Sequence, residues 1–363
     1  MLYSDFQGER LSMLGMGAMR LPERFKLIDK VRATQLIDLA YNSGINYFDT
    51  AFVYHLGKSE PFLGEALSRY PREKLKIATK YYGAAGISIE SMFERQLKRL
   101  RTDYIDFYLL HSITDKNVNK YTDSGKRNAE FLMEQKAKGR IRHIGFSSHA
   151  GLKTLEDMLE WSDCFEFVQI QLNYLDWTLQ NAKAQYELIT SHKLPVWVME
   201  PVRGGKLATL NPAAVKLLKS YAPERSAASW AFRWLMGLPN VKVILSGMSD
   251  TEQVTENVEL FSRSQPLSEH EAKLLANALA LYRSDLAVPC TACRYCCESC
   301  PRQIEIPRWL NAYNEYEVSK SKDAFTGISS PTPHDCISCR VCENHCPQSI
   351  KIPDIMKKIS GLQ

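Results

Sequence analysis

The chain has 363 residues, 45% hydrophobic and 24% charged, which suits one large packed domain or two. Its formal charge is only +5, with no basic cluster interleaved with aromatics, so no nucleic-acid partner is implied. No apolar run approaches the roughly 18 residues of a membrane span, so no membrane partner is expected. The amino terminus Met1-Leu2-Tyr3-Ser4-Asp5 lacks the basic-then-apolar pattern of a signal peptide, and the expected location is the cytoplasm.

Short apolar runs alternate with amphipathic stretches through the first three-quarters of the chain. The runs predict strands at Met13–Met19, Ile45–Thr50, Leu75–Lys80, Tyr104–His111, Ile144–Ser148, Phe167–Asn173, Val196–Glu200 and Val241–Gly247. They are rich in Val, Ile, Tyr and Phe, as buried parallel strands tend to be. Between them, Ile89, Phe93, Leu97 and Leu100 form one helical stripe, and Leu152, Leu155 and Leu159 another. Gly44 and Gly139 stand where helices stop. Eight strand–helix units in about 260 residues predict a (β/α)8 TIM barrel. A doubly wound open sheet is the alternative, but no G-x-G-x-x-G follows the first strand. Ser268-Glu269-His270-Glu271 reads as a capping box opening a helix through about Arg283. The domain boundary falls near Ser284-Asp285, giving a barrel over residues 1–283 and a second domain over 284–363.

Polar residues at the carboxyl ends of barrel strands are the catalytic candidates by position. Here they are Asp49, Lys80 and His111, with Tyr54 five residues past Asp49. Three segments carry a resemblance: the loop Asp49–Glu60, the strand Ile77-Ala78-Thr79-Lys80, and the stretch from Asp103 to His111. With these in this order, the chain resembles the aldo/keto reductase superfamily over roughly residues 10–262. A free tyrosine, with a pKa of about 10, is poorly matched to neutral pH; a nearby ammonium favours its phenolate. The resemblance implies Tyr54 as general acid/base, Lys80 as the tuning cation, Asp49 as the partner of Lys80, and His111 as the residue that orients the carbonyl. His55 and His149 are left as ordinary surface or loop residues.

The same resemblance implies a nicotinamide dinucleotide, NADP or NAD. Ser147 and Ser148 fall where the family has a Ser-Asn pair for the carboxamide, and Gln169 matches the family's glutamine. Met199 stands where many members stack a tyrosine; past Pro201, Gly204 and Gly205 let the backbone approach the pyrophosphate closely. At the adenosine end are Gly247, Gln253, Glu256 and Asn257. Gly247 and Gln253 replace the Lys and Arg that NADP-preferring relatives place at the 2′-phosphate. The substrate, a small carbonyl or alcohol, is set by loops around Phe52, Tyr82, 112–125 and 173–178. Tyr82, Tyr174 and Trp177 either line its pocket or pack those loops.

Nine of the ten cysteines lie beyond residue 289. Cys290, Cys293, Cys296 and Cys300-Pro301 form one run, and Cys336, Cys339, Cys342 and Cys346-Pro347 another; a shift of 46 residues superposes them. The match continues from Ile304 to Ile350, Ile306 to Ile352 and Pro307 to Pro353, which makes an internal repeat. This spacing is the ligand pattern of a [4Fe–4S] cluster, and in two-cluster proteins the fourth cysteine serves the other cluster. Two [4Fe–4S] clusters are therefore expected, one on Cys290, Cys293, Cys296 and Cys346, the other on Cys336, Cys339, Cys342 and Cys300. Cys297 falls opposite Glu343 and is not assigned as a ligand. Zinc and disulfides fit the doubled spacing poorly. The runs resemble bacterial dicluster ferredoxins, with a longer connection that reads as a helix over Pro307–Lys320.

The leading reading is an NAD(P)-dependent oxidoreductase of carbonyls and alcohols, joined to a small, mainly helical, ferredoxin-like iron–sulfur domain. Clusters pass single electrons whereas nicotinamide exchanges a hydride, and no flavin motif is visible. Three roles stay open for the second domain: relay to an external ferredoxin or flavoprotein, delivery of electrons to the substrate, or support of the barrel. An electron-transfer or redox-sensing protein and a redox-neutral isomerase or lyase with tightly bound NAD are the competing readings.

Overall fold

The structure, a computed structural model, describes residues 1–263, 265–283, 286–328 and 331–362. The expected boundary at Ser284-Asp285 lies outside the described residues. The chain divides into two compact units, Met1–Pro201 with Phe232–Pro266 and Val202–Ala231 with Leu267–Gln363.

In the first unit all eight expected strands form: Leu14–Gly17, Tyr47–Asp49, Lys76–Tyr81, Ile105–Ile113, Ile141–Ser148, Phe167–Gln171, Val196–Met199 and Val241–Ser246. They pair in chain order, all parallel, and the eighth closes on the first through Ile244 opposite Leu14. The sheet is a closed barrel, and the open-sheet alternative falls. Helix Ile89–Leu100 forms where the stripe predicts it. Ser88 accepts from the N–H of Ser91 at its start, and Arg101, in the left-handed region, stops it. Gly44 and Gly139 follow helices that end at Asn42 and Ala137, at φ of 93° and 72°.

The interior follows from the period of two along each strand. Tyr47, Ala78, Phe107, Leu109, Phe167, Trp197, Val243 and Leu245 pack into one buried cluster. A step of two residues toward the carboxyl ends exchanges these for Asp49, Lys80, His111, Gln169, Met199 and Gly247. The barrel is thus apolar below and polar at its mouth. Gly15 and Gly145 make room for the large rings. A Cβ on Gly15 would sit 2.7 Å from Leu245, and one on Gly145 would sit 2.6 Å from the Phe167 ring.

An amino-terminal hairpin, Tyr3–Phe6 paired with Glu9–Ser12, was not expected. Its Phe6 packs against Trp197 and Phe107, with ring centroids at 5.1 and 6.1 Å, and so belongs to the barrel core. The signal was small: a Gln7-Gly8 turn between two four-residue runs.

In the second unit the capping box is present. Ser268 N–H donates to Glu271 Oε2 at 2.8 Å and Glu271 N–H to Ser268 Oγ at 3.2 Å, opening helix Glu269–Arg283. Helix Pro212–Tyr221 packs on it. The cysteine runs repeat in three dimensions as in sequence. Short helices Tyr295–Glu298 and Val341–Asn344 correspond, as do the starts of Ile306–Ser319 and Ile352–Ser360. Ile304, Ile306, Trp309, Ile350, Ile352 and Met356 form the shared core. Even backbone strain is duplicated. Ala292 and Ser338 (φ 54° and 55°), Arg294 and Arg340 (71° and 60°), and Gln303 and Ser349 (53° and 52°) are all left-handed without being glycine.

Candidate functional site

At the mouth of the barrel, Lys80 is wholly buried. Its ammonium donates to both Asp49 oxygens, at 2.6 and 2.7 Å, and to the Thr50 carbonyl at 2.7 Å. Burial pushes the Lys80 ammonium below the ordinary lysine value, and Asp49 opposes that shift. The Tyr54 ring centroid lies 5.2 Å from this ammonium and 5.7 Å, edge to face, from the ring of His111. The four residues singled out in the sequence are thereby brought together. Burial, with the Lys80 charge behind it, holds His111 well below the usual histidine value. Its Nδ1 is buried with no hydrogen-bond partner among the described residues. Tyr82 places its ring 5.7 Å from His111, at the site. Trp177 instead packs against Trp234 and Tyr186.

The local fold that holds Tyr54 is made by the loop itself. Tyr54 N–H donates to the Ala51 carbonyl, Ser59 N–H donates to the Tyr54 carbonyl, and Gly57 takes a φ of 78° to turn the chain between them. Behind Lys80, Glu60 is buried and accepts from Thr79 Oγ1, Gln96 Nε2 and Arg99 Nη1 at 2.7, 2.6 and 3.1 Å. Gln96 also donates to the Lys80 carbonyl at 3.0 Å and accepts from the Tyr108 hydroxyl at 2.7 Å. This network fixes the strand that carries Lys80. Gln96 had no place in the sequence reading, although a glutamine inside the stripe of Met92, Phe93, Leu97 and Leu100 is the kind of buried polar residue that signals a network.

The residues expected to hold a nicotinamide are less uniform. Gln169 sits opposite Ser147 on adjacent strands. Its Oε1 is buried with no hydrogen-bond partner among the described residues, and its Nε2 lies 3.7 Å from Met199 Sδ. Such an orphaned acceptor suits a carboxamide N–H, so the residues fit the group. Ser147 Oγ accepts from Ser112 N–H and Ser148 Oγ from Ala150 N–H, which leaves each hydroxyl a proton to donate. Pro201 ends the first unit; Gly204 and Gly205, at φ 63° and 92°, belong to the second. Gln253 turns its Oε1 onto Ser249 N–H at 2.9 Å, and Asn257 donates to Ser246 Oγ at 3.2 Å; Glu256 is exposed. A Cβ on Gly247 would lie 3.1 Å from Arg20, whose guanidinium sits 3.7 Å from Glu200. Arg20, unassigned from sequence, is the cation beside Gly247. His55 lies in its loop with Nδ1 2.8 Å from Glu23.

Thiols of the two cysteine runs meet in the second unit. One cavity is lined by Cys300, Cys336, Cys339 and Cys342, with Ile304 and Ile352. Three of these thiols come from one run and Cys300 from the other. Burial raises the Cys342 thiol to about 11, with Cys336, Cys300 and Cys339 adding to the shift. Cys290 is likewise raised by burial and by Cys346, while Ala292 N–H donates to its sulfur at 3.3 Å. The Cys296 thiol is raised by its hydrogen bond to Cys297 and by burial, with Cys293 and Cys290 behind them. None of the ten cysteines, all among the described residues, is in a disulfide. Clustered thiols that resist ionising on their own suit a metal centre that displaces their protons.

Residues 13–280 match the aldo/keto reductase family model, far more than half of the chain. The chain belongs to the aldo/keto reductase family. A second match, to a 4Fe-4S dicluster domain, covers residues 289–350. An uncharacterized oxidoreductase, YqkF, of Bacillus subtilis is 27% identical over 73% of this chain and 92% of its own. An NADH-specific methylglyoxal reductase of Escherichia coli is 25% identical over 73% of this chain and 94% of its own. Among solved structures, aldo-keto reductase AKR11C1 of Bacillus halodurans, in its holo form, is 27% identical with a TM-score of 0.63. That likeness covers 76% of this chain and 95% of the other. The protein is thus an oxidoreductase whose aldo/keto reductase barrel is followed by an iron–sulfur domain. No helix among the described residues is long and apolar enough to cross a membrane.

Proposed function

We propose that this aldo/keto reductase interconverts a small carbonyl and its alcohol, with Tyr54 as general acid/base and a nicotinamide dinucleotide as redox partner. The observation that carries the reading is the Tyr54 ring lying within 5.2 Å of the buried Lys80 ammonium and 5.7 Å of the His111 ring. His111, kept neutral by burial and by the Lys80 charge, donates a ring N–H to the carbonyl oxygen and polarises it. As charge develops on that oxygen, Tyr54 gives up its phenolic proton. Lys80 stabilises the phenolate left behind, and Asp49 keeps the ammonium in place. In the oxidative direction the same phenolate takes the hydroxyl proton of the alcohol. The dinucleotide, when bound, supplies or accepts the hydride at carbon. Ser147, Ser148 and Gln169 would hold its carboxamide, Met199 and Pro201 its nicotinamide end, and Gly204 and Gly205 its pyrophosphate.

Gly247, Gln253, Glu256 and Asn257 would meet the adenosine. None of the four is a cation, Gln253 is turned onto Ser249, and Arg20, the cation beside Gly247, lies 3.7 Å from the Glu200 carboxylate, which supports NADH over NADPH. The relative named as NADH-specific supports the same choice. In the second domain, two [4Fe–4S] clusters on the crossed cysteine sets would exchange single electrons with an external ferredoxin or flavoprotein.

A steady-state assay of NADH and NADPH oxidation against a panel of aldehydes and ketones tests the reading. Tyr54→Phe is expected to abolish turnover while dinucleotide binding, followed by fluorescence quenching, stays within twofold of wild type. Full turnover in that variant refutes the role of Tyr54. Anaerobic protein without iron and sulfide in the amounts of two clusters refutes the assignment of the second domain.

A further inference from the structure

The loop after the seventh barrel strand carries a residue that the proposed chemistry leaves unused. Arg203 is fully buried, among the largest wholly buried side chains of the chain. It lies in the second unit, and its backbone is left-handed, with φ 51°. Its Nη2 donates to the Pro289 carbonyl at 3.0 Å and to Gln348 Oε1 at 3.2 Å. Pro289 is the residue before Cys290; Gln348 is two residues past Cys346. Those cysteines are the first and last members of one crossed ligand set, 56 positions apart in sequence. A single guanidinium therefore ties together the two chain segments that must converge for that set to close. Three residues on, half-buried Lys206 hydrogen-bonds Asn311 and brings a second cation near Cys290. Among the described residues, the cavity of the other set is lined by no buried cation. The arginines at its cavity are Arg302 and Arg340, both exposed to solvent, and Arg340 is paired with Glu343 and Asp354.

We propose that Arg203 is a positioning residue for the cluster on Cys290, Cys293, Cys296 and Cys346. It clamps the two halves of the ligand set and, as a buried positive charge, raises that cluster's reduction potential above the other's. The physical basis is general. Adding an electron makes a thiolate-ligated cluster more negative, and a fixed cation in a low-dielectric setting stabilises the reduced form more than the oxidised one. An exposed arginine has a weaker effect because water and salt screen it. The two clusters of one repeat are thereby made unequal by a residue outside the repeat, and a single electron entering the domain settles on the Cys290 cluster.

This inference rests on the two-cluster reading and is tested apart from it. Full-length protein prepared anaerobically is titrated with dithionite in the presence of redox mediators, and the reduced clusters are followed by electron paramagnetic resonance. Wild type is expected to give two midpoints. Arg203→Gln should lower the upper one by at least about 59 mV, a tenfold loss in the one-electron equilibrium constant for reduction, and leave the lower one in place. Arg203→Lys keeps the charge while losing the fork, and should restore most of the shift. Because a midpoint is read only from molecules that hold their clusters, reduced occupancy in either variant leaves the comparison intact. Midpoints that do not move in Arg203→Gln, or that move equally for both clusters, overturn the proposal, as does a loss in Arg203→Lys equal to that in Arg203→Gln. Wild-type protein lacking the iron and sulfide of two clusters refutes the two-cluster reading itself.

Discussion

The Lys80 ammonium lies 2.6 and 2.7 Å from the two carboxylate oxygens of Asp49, and neither side chain is more than 4% exposed. Two opposite charges taken out of water in this way hold each other in place, and removing one leaves the other stranded. Asp49→Asn should therefore destabilise the protein by about 3–5 kcal/mol in urea unfolding. It should also lower kcat by at least about a hundredfold through misplacement of Lys80. The double variant Asp49→Asn with Lys80→Met should lose less stability than the two single losses added together. Additive losses would show that the pair is not coupled.

The Glu60–Gln96 network makes a separate prediction about support rather than chemistry. Gln96→Leu fills the same space but removes a donor to Glu60 and to the Lys80 carbonyl, and an acceptor for Tyr108. A loss of about 1–3 kcal/mol in stability is expected from the stranded polar groups. kcat should fall with little change in the dinucleotide dissociation constant, because Lys80 is displaced while the nicotinamide contacts are not. An unchanged kcat would confine Gln96 to a structural role.

His149 is partly buried, and burial holds its pKa at about 4, below the usual 6.5. The unfolded chain therefore binds a proton between pH 6.5 and about 4 that the folded protein refuses. Stability is flat in this respect above pH 6.5 and falls as the pH drops through that window; His111, shifted the same way, adds to the fall. His149→Gln should recover roughly 1–3 kcal/mol of the stability lost between pH 7 and pH 4, measured by denaturant titration at several pH values. The same slope in variant and wild type would contradict the assignment.

Iron counting decides whether the cysteine sets cross. The pair Cys300→Ala and Cys336→Ala removes two members of one crossed set and should cost a single cluster. The pair Cys300→Ala and Cys290→Ala touches both sets and should cost both clusters. Local ligation by each run predicts the reverse. Cys297→Ser should keep the full iron content.

Much of this was legible in advance because the signals were periodic or repeated. Eight apolar runs gave the barrel, and the doubled cysteine spacing gave the second domain, whose cavity brings Cys300 of one run beside Cys336, Cys339 and Cys342 of the other. Asp49, Lys80 and His111 stand out as candidates because strand ends are where a barrel displays polar groups, and the structure brings Tyr54, from the following loop, beside Lys80 and His111. What escaped were residues whose meaning depends on contacts distant in sequence. Phe6 is a plain aromatic near the terminus until it meets Trp197, and Arg20 is a surface cation until its side chain crosses Gly247. Arg203 lies between Pro201 and Gly204, yet its partners lie 86 and 145 residues downstream, beyond any local pattern. The roles of Tyr82 and Trp177 were tied in sequence and part only because one ring meets His111 and the other Trp234.

Ala292, Arg294 and Gln303, with their counterparts Ser338, Arg340 and Ser349, keep a backbone twist that side chains resist by about 1–2 kcal/mol apiece. A segment this short has little spare cohesion to hold six such kinks unaided. Its shape is therefore contingent on what the thiols grip. During synthesis the arrival of iron and sulfide becomes a maturation step, and starving a cell of either should leave this carboxyl-terminal segment the first part of the chain that proteases cut.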